Sequence, residues 1–117
     1  VRTDRLLLGD MLDAIIEVLT TTPPTRAEFD ANKLIRSHIV RNIQIIGEAA
    51  WRLPQSLKDS HPAVPWRAIA GMRHAIVHDY FEIDWDAVWE VTQRHTAALR
   101  PQIEVILASL PANRPSP

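Results

Sequence analysis

Apolar residues spaced three and four apart recur along nearly the whole chain, and that period admits packed helices and little else. Over residues 3–20, Leu8, Met11, Leu12, Ile15, Ile16 and Leu19 fall on one stripe, with Asp4, Asp10, Asp13 and Glu17 mostly elsewhere. Over residues 32–53 the stripe is Leu34, Ile35, Ile39, Ile43, Ile46, Ala50 and Leu53. Strand-like alternation is missing. Only three glycines occur, and none stands in an Asn-Gly or Asp-Gly pair of the kind that turns a hairpin. The expected fold class is all-α.

Local signals place the breaks. Thr20-Thr21-Thr22-Pro23-Pro24 ends the first helix, and Thr25 with Glu28 has capping-box spacing, so a short helix is expected over 26–31 ahead of the long one. Pro54 closes the long helix, and residues 55–64 form a connector with a short turn at Gln55–Lys58. Pro65 suits the first position of a further helix predicted to run to about residue 79. Asp84 is a fitting N-cap for the last long element, whose N-terminus Asp86 complements. Pro101 is expected to kink or split that element. These signals predict a bundle of four to five helices in one domain over residues 1–110, with a disordered tail over 111–117 that holds three prolines.

Composition narrows the function classes. A chain of 117 residues suits a single domain. It has no cysteine, which excludes disulfides, thiol catalysis and cysteine-bound zinc. No apolar run approaches the roughly 20 residues that span a bilayer, and no signal-peptide pattern opens the chain. A soluble, cytoplasmic protein with no membrane partner is expected. The net charge of −1 conceals an asymmetry. Residues 32–73 carry seven Lys and Arg against Glu48 and Asp59, whereas residues 79–90 carry five acidic groups and no Lys or Arg. A local basic surface is compatible with this; attraction of the whole molecule to a polyanion is not expected.

The densest polar cluster is Arg73-His74-Ala75-Ile76-Val77-His78-Asp79-Tyr80. On a continuous helix Arg73 and His78 would lie about 140° apart and Tyr80 would return to within about 20° of Arg73, so that the Arg and the His flank one groove. Three chemistries fit these residue types. His74 and His78 share a face as metal ligands do, with Asp79 or Glu82 to complete the set, but Ala75 stands where a zinc-protease helix carries its glutamate base. In a structural role, one His is hydrogen-bonded in the core and Arg73 pairs with a carboxylate such as Glu48. In phosphate chemistry, Arg73 is a bidentate clamp and His78 a general acid or base near neutral pH.

The string Arg73-x4-His78-x-Tyr80 matches the R-x4-H-x-Y motif of the HepT-like toxins in the HEPN superfamily of all-helical ribonucleases. Arg41-Asn42-Ile43-Gln44-Ile45-Ile46-Gly47-Glu48-Ala49 resembles the second characteristic helix of that family, and Asp4–Leu12 and Phe29-x5-Ile35 are similar too. The resemblance runs over about residues 3–110 and selects the phosphate chemistry. It implies a metal-independent endoribonuclease toxin without a cofactor, folded as a HEPN-type bundle, with Arg73 and His78 catalytic. It further implies a homodimer whose two R-x4-H motifs face one shared cleft, and an antitoxin of the minimal nucleotidyltransferase (MntA-like) type. By the same resemblance Tyr80 is where that antitoxin attaches AMP and silences the toxin.

Further residues are candidates for support. Glu48 either orients Arg73 or a neighbouring histidine, or is an exposed helical glutamate. Asn42, an amide on the apolar stripe, lines the cleft or satisfies a buried polar partner. His74 and Asp79 either assist the site or are solvated. Lys33, Arg36, Arg41 and Arg52 are candidates to guide an RNA backbone, the plain alternative being charges that face water. Trp66, Trp85 and Trp89 read as core or interface anchors. The acidic run 79–90 fits contact with a basic partner surface or a helix's acidic start. The alternative function is a non-catalytic helical module that binds a nucleotidyltransferase partner or a nucleotide.

Overall fold

Four of the helices start where a short polar side chain takes a backbone N–H that has no partner within the helix. Thr3 Oγ1 accepts from Leu6 N at 3.2 Å, Thr25 Oγ1 from Glu28 N at 3.2 Å, Asn32 Oδ1 from Ile35 N at 3.0 Å and Asp84 Oδ1 from Ala87 N at 3.0 Å. In the computed structural model these caps open α1 (Asp4–Thr21), α2 (Arg26–Ala31), α3 (Lys33–Arg52) and α6 (Trp85–Glu90). Between them stand α4 (Gln55–Ser60) and α5 (Trp66–Ala75), and α7 (Thr96–Ser109) follows α6 through a π-helical turn at Val91–His95. The structure describes residues 2–77 and 82–111. His78, Asp79, Tyr80 and the tail beyond Pro111 lie outside the described residues.

The all-α expectation holds among those residues, which contain no strand and only one isolated antiparallel bridge, Val77 to Ile83. α3 packs against both α1 and α5, and α7 returns along α1. The interface draws on the predicted stripes, with Leu8, Met11 and Ile15 of α1 against Ile39, Ile43 and Ile46 of α3 and with Ile103 and Ile106 closing the core from α7. Val18, left off the α1 stripe, is buried with them, whereas Leu34, placed on the α3 stripe, is 83% exposed. Phe29 of α2 is fully buried, its ring 6.2 Å from that of Trp85 and 5.2 Å from that of Trp89. Arg26 reinforces this corner, pairing with Asp30 at 2.9 Å and with Asp86 of α6 at 2.8 Å.

Two expectations are corrected. The helix predicted to reach residue 79 stops at Ala75. Ile76 has φ −90° and ψ −2°, and Asp84 N donates to its carbonyl oxygen at 2.8 Å, so the chain leaves the helix to pair with residues 83–84. The last element is not split at Pro101, which lies exposed within α7. Its irregularity is the π turn upstream. There the buried Thr96 hydroxyl donates to Val91 O and Thr92 O, both at 3.2 Å, inserting a side chain into the backbone ladder. At the C-terminus Arg5 Nη2 donates to Leu110 O at 3.0 Å and to Pro111 O at 2.8 Å.

Candidate active site

Gly47 brings α3 and α5 together. A Cβ at this position would sit 3.1 Å from Arg73 Cβ, 3.2 Å from Arg73 N and 3.2 Å from Ile69 O, so any larger residue would require α5 to give by a few tenths of an ångström. That crossing places Arg73, in the last turn of α5, over the residues that follow Gly47 on α3. Arg73 Nη1 donates to Glu48 Oε2 at 3.1 Å. Its Cζ lies 4.7 Å from the ring centroid of Trp51, one turn further along α3. The guanidinium is thereby held from two sides, with Nε buried and without a hydrogen-bond partner.

Glu48 is shared. Its other oxygen, Oε1, accepts from Arg52 Nε at 3.1 Å. The hydrogen bond from Arg73, then that from Arg52, hold the Glu48 carboxyl below its ordinary value of 4.5. The glutamate is therefore ionised at neutral pH and paired with both guanidiniums.

Arg73 and His74 stand on a ridge between two concavities. The first, about 510 Å³, is lined by Arg41, Gln44, Glu48 and Arg52 together with Leu7, Asp10 and the ridge residues. The second, about 1250 Å³ and open, is lined by Trp51, Lys58, Arg67 and Trp66 among others. Burial pushes the Lys58 ammonium below its ordinary pKa, and Lys58 Nζ donates to Trp51 O at 3.4 Å. Basic side chains outnumber acidic ones around both hollows, an arrangement receptive to an anion.

Not every candidate joins this site. Asn42 is buried on the α1 side of α3, where its Nδ2 donates to His38 O at 2.9 Å. His38 Nε2 in turn meets Glu17 Oε2 at 2.9 Å, so Asn42 braces a separate polar contact between α1 and α3. Lys33 and Arg36 lie at the start of α3, about 22 Å and 18 Å along the helix from Glu48. Arg36 is stacked over Trp85, 4.6 Å from its ring centroid. Arg41 does line the first hollow, and Arg52 adds a cation beside it. Trp51 was not singled out by the sequence. Its signal was its place one turn after Glu48, which puts the two side chains on neighbouring azimuths of α3.

Fold and site define a small all-helical protein with an arginine fixed between two hollows around which basic side chains outnumber acidic ones. The chain belongs to the HepT-like ribonuclease family, whose profile matches residues 11–106. A protein of Methanocaldococcus jannaschii that carries an RNase name is 29% identical over 93% of this chain and 91% of its own length. Another, from Caldanaerobacter subterraneus, is 35% identical over 68% of this chain and 71% of its own. A third, from Thermococcus cleftensis and named as a ribonuclease HepT, is 32% identical over 66% of this chain and 70% of its own. No solved structure matches. Among the described residues no helix is long and apolar enough to cross a membrane.

Proposed function

We propose that this chain is the toxin of a HepT/MntA-type toxin–antitoxin pair, a cytoplasmic, metal-independent endoribonuclease in which residues 1–110 act as one domain. The observation that carries the reading is Arg73, clamped by Glu48 and Trp51 at the edge of a basic hollow and opening the Arg73-x4-His78-x-Tyr80 string of a HepT-like family member. RNA brings its own nucleophile, the 2′-hydroxyl, so the reaction needs no metal-bound water. His78 takes the proton of that hydroxyl, the 2′-oxygen bonds to phosphorus, and the bond from phosphorus to the 5′-oxygen breaks. Arg73 stabilises the charge that builds on the non-bridging oxygens. The leaving 5′-oxygen is protonated by the second subunit's copy of His78, across a homodimer cleft, or by water. The products are a 2′,3′-cyclic phosphate and a 5′-hydroxyl, and DNA is not cut. Glu48 keeps the guanidinium aimed while leaving it N–H groups for the phosphate.

An MntA-type antitoxin that adenylylates Tyr80 would silence this site, because AMP sets a bulky base and a negative phosphate two residues from His78. The test is cleavage of RNA in the presence of EDTA. Arg73→Ala is expected to lower kcat by about 10²–10³-fold and His78→Ala by about 10²–10⁴-fold. Wild-type cleavage that stops in EDTA would revive metal chemistry. Inertness of the wild type towards every RNA, with retained binding of the antitoxin, would leave the non-catalytic module.

A further inference from the structure

Among the described residues Trp51 is the most exposed of the bulky aromatics, with 57% of its surface accessible, while Trp66 is buried and Trp85 and Trp89 pack on Phe29. One side of its indole carries the Arg73 guanidinium. The rest opens into the larger hollow, whose wall bears Lys58 and Arg67 against Asp59. We infer that Trp51 is a stacking platform for a nucleobase of single-stranded RNA, seating the nucleotide next to the phosphate that Arg73 holds. The inference rests on the nuclease reading and deepens it.

Three observations carry it. Arg73 and His74 border both hollows, so a strand whose phosphate sits on Arg73 passes directly from one to the other. Every base has a π-face, and an indole already backed by a guanidinium is fixed in place and loses little freedom when a base lands on it. The hollow also favours an anionic occupant, since Lys58, Arg67 and Arg73 line it against the single carboxylate of Asp59. A flexible polyanion with flat bases fits a hollow lined in this way. Trp51 acts here as a binding and positioning residue; the reacting atoms belong to Arg73 and His78.

The experiment uses the full chain, a short ribo-oligonucleotide, its all-2′-deoxy counterpart and versions with one base removed at successive positions. Trp51→Ala is expected to raise KM for the ribo-oligonucleotide by about 10-fold and to change kcat less, with Trp51→Phe restoring most of the loss. The deoxy oligonucleotide, which cannot be cleaved through a 2′-hydroxyl, should lose affinity for Trp51→Ala by the same factor. In the wild type, removal of one particular base should reproduce that factor, and in Trp51→Ala the same removal should cost nothing more. An identical base-removal profile in both proteins overturns the platform. So does a Trp51→Ala effect that tracks dissociation of a dimer in sedimentation measured at the same concentrations. Failure of the nuclease reading appears separately, as full cleavage by Arg73→Ala, and the deoxy-oligonucleotide arm still decides the platform.

Discussion

At the scale of single residues, the arrangement turns on Glu48, which binds two guanidiniums at once, and on Gly47 beside it. Because the Glu48 carboxyl is held below its ordinary 4.5 by Arg73 and then Arg52, its contribution to stability is complete above pH 4.5. That contribution is lost as the pH falls through the depressed folded-state value. Glu48→Gln should therefore flatten the acid limb of the stability curve below pH 4.5, read from urea midpoints across the acid range. Both partners are partly exposed to solvent, so the difference should be small, about 0.5–1 kcal/mol at neutral pH. The same variant should lower kcat, because an unheld guanidinium must be ordered at each turnover. Gly47→Ala should act through packing. Alanine gains up to about 1 kcal/mol in helix propensity. Its methyl, however, meets backbone atoms of α5 at 3.2 Å, and these can move only with the whole helix. A net loss of about 1–2 kcal/mol is expected, together with weaker cleavage. Gly9→Ala, where a Cβ meets nothing within 4 Å, should instead gain up to about 1 kcal/mol.

At the scale of elements, the four side-chain caps and the stripes on α1 and α3 show how far local chemistry reaches. Thr25, Asp84 and the apolar period are readable because their partners lie within a few residues. Phe29 lies between α2 and α6, and Phe29→Ala should cost about 3–5 kcal/mol in a denaturant titration, since its ring fills a site walled by two indoles. What the sequence hid depends on distant partners. Ile76 and Val77 continue the apolar stripe of α5, so the period carries no stop signal. The stop coincides with the hydrogen bond from Asp84 N to Ile76 O and the bridge from Val77 to Ile83. The π turn likewise follows from burial of Thr96, whereas Pro101, the visible breaker, sits on an exposed face where the freed carbonyl can meet water. The pairing of Arg73 with Glu48 was one of several open possibilities, and the Gly47 crossing selected it. Trp51 stayed hidden for the same reason, because nothing local says which side of α3 the crossing helix covers.

At the scale of the whole molecule, a net charge of −1 means that RNA must be drawn by a patch and not by the protein's overall field. The patch around the two hollows includes Arg41, Arg52 and Arg73. If these three each neutralise one phosphate of a single strand, log Kobs should fall with log salt at a slope of about −2, since each contact releases about 0.7 of a counterion. The measurement is binding of the uncleavable deoxy oligonucleotide across a salt series. Arg41→Ala should weaken binding of all sequences alike and make the slope shallower by about 0.7. Lys33→Ala should leave the slope where it is, because Lys33 lies about 22 Å along α3 from Glu48. Arg36→Ala should lower stability with no change in slope, because its guanidinium is engaged with Trp85. Equal slope changes for Lys33 and Arg41 would mean that the strand runs the length of α3, and the path across Arg73 into the Trp51 hollow would then be wrong.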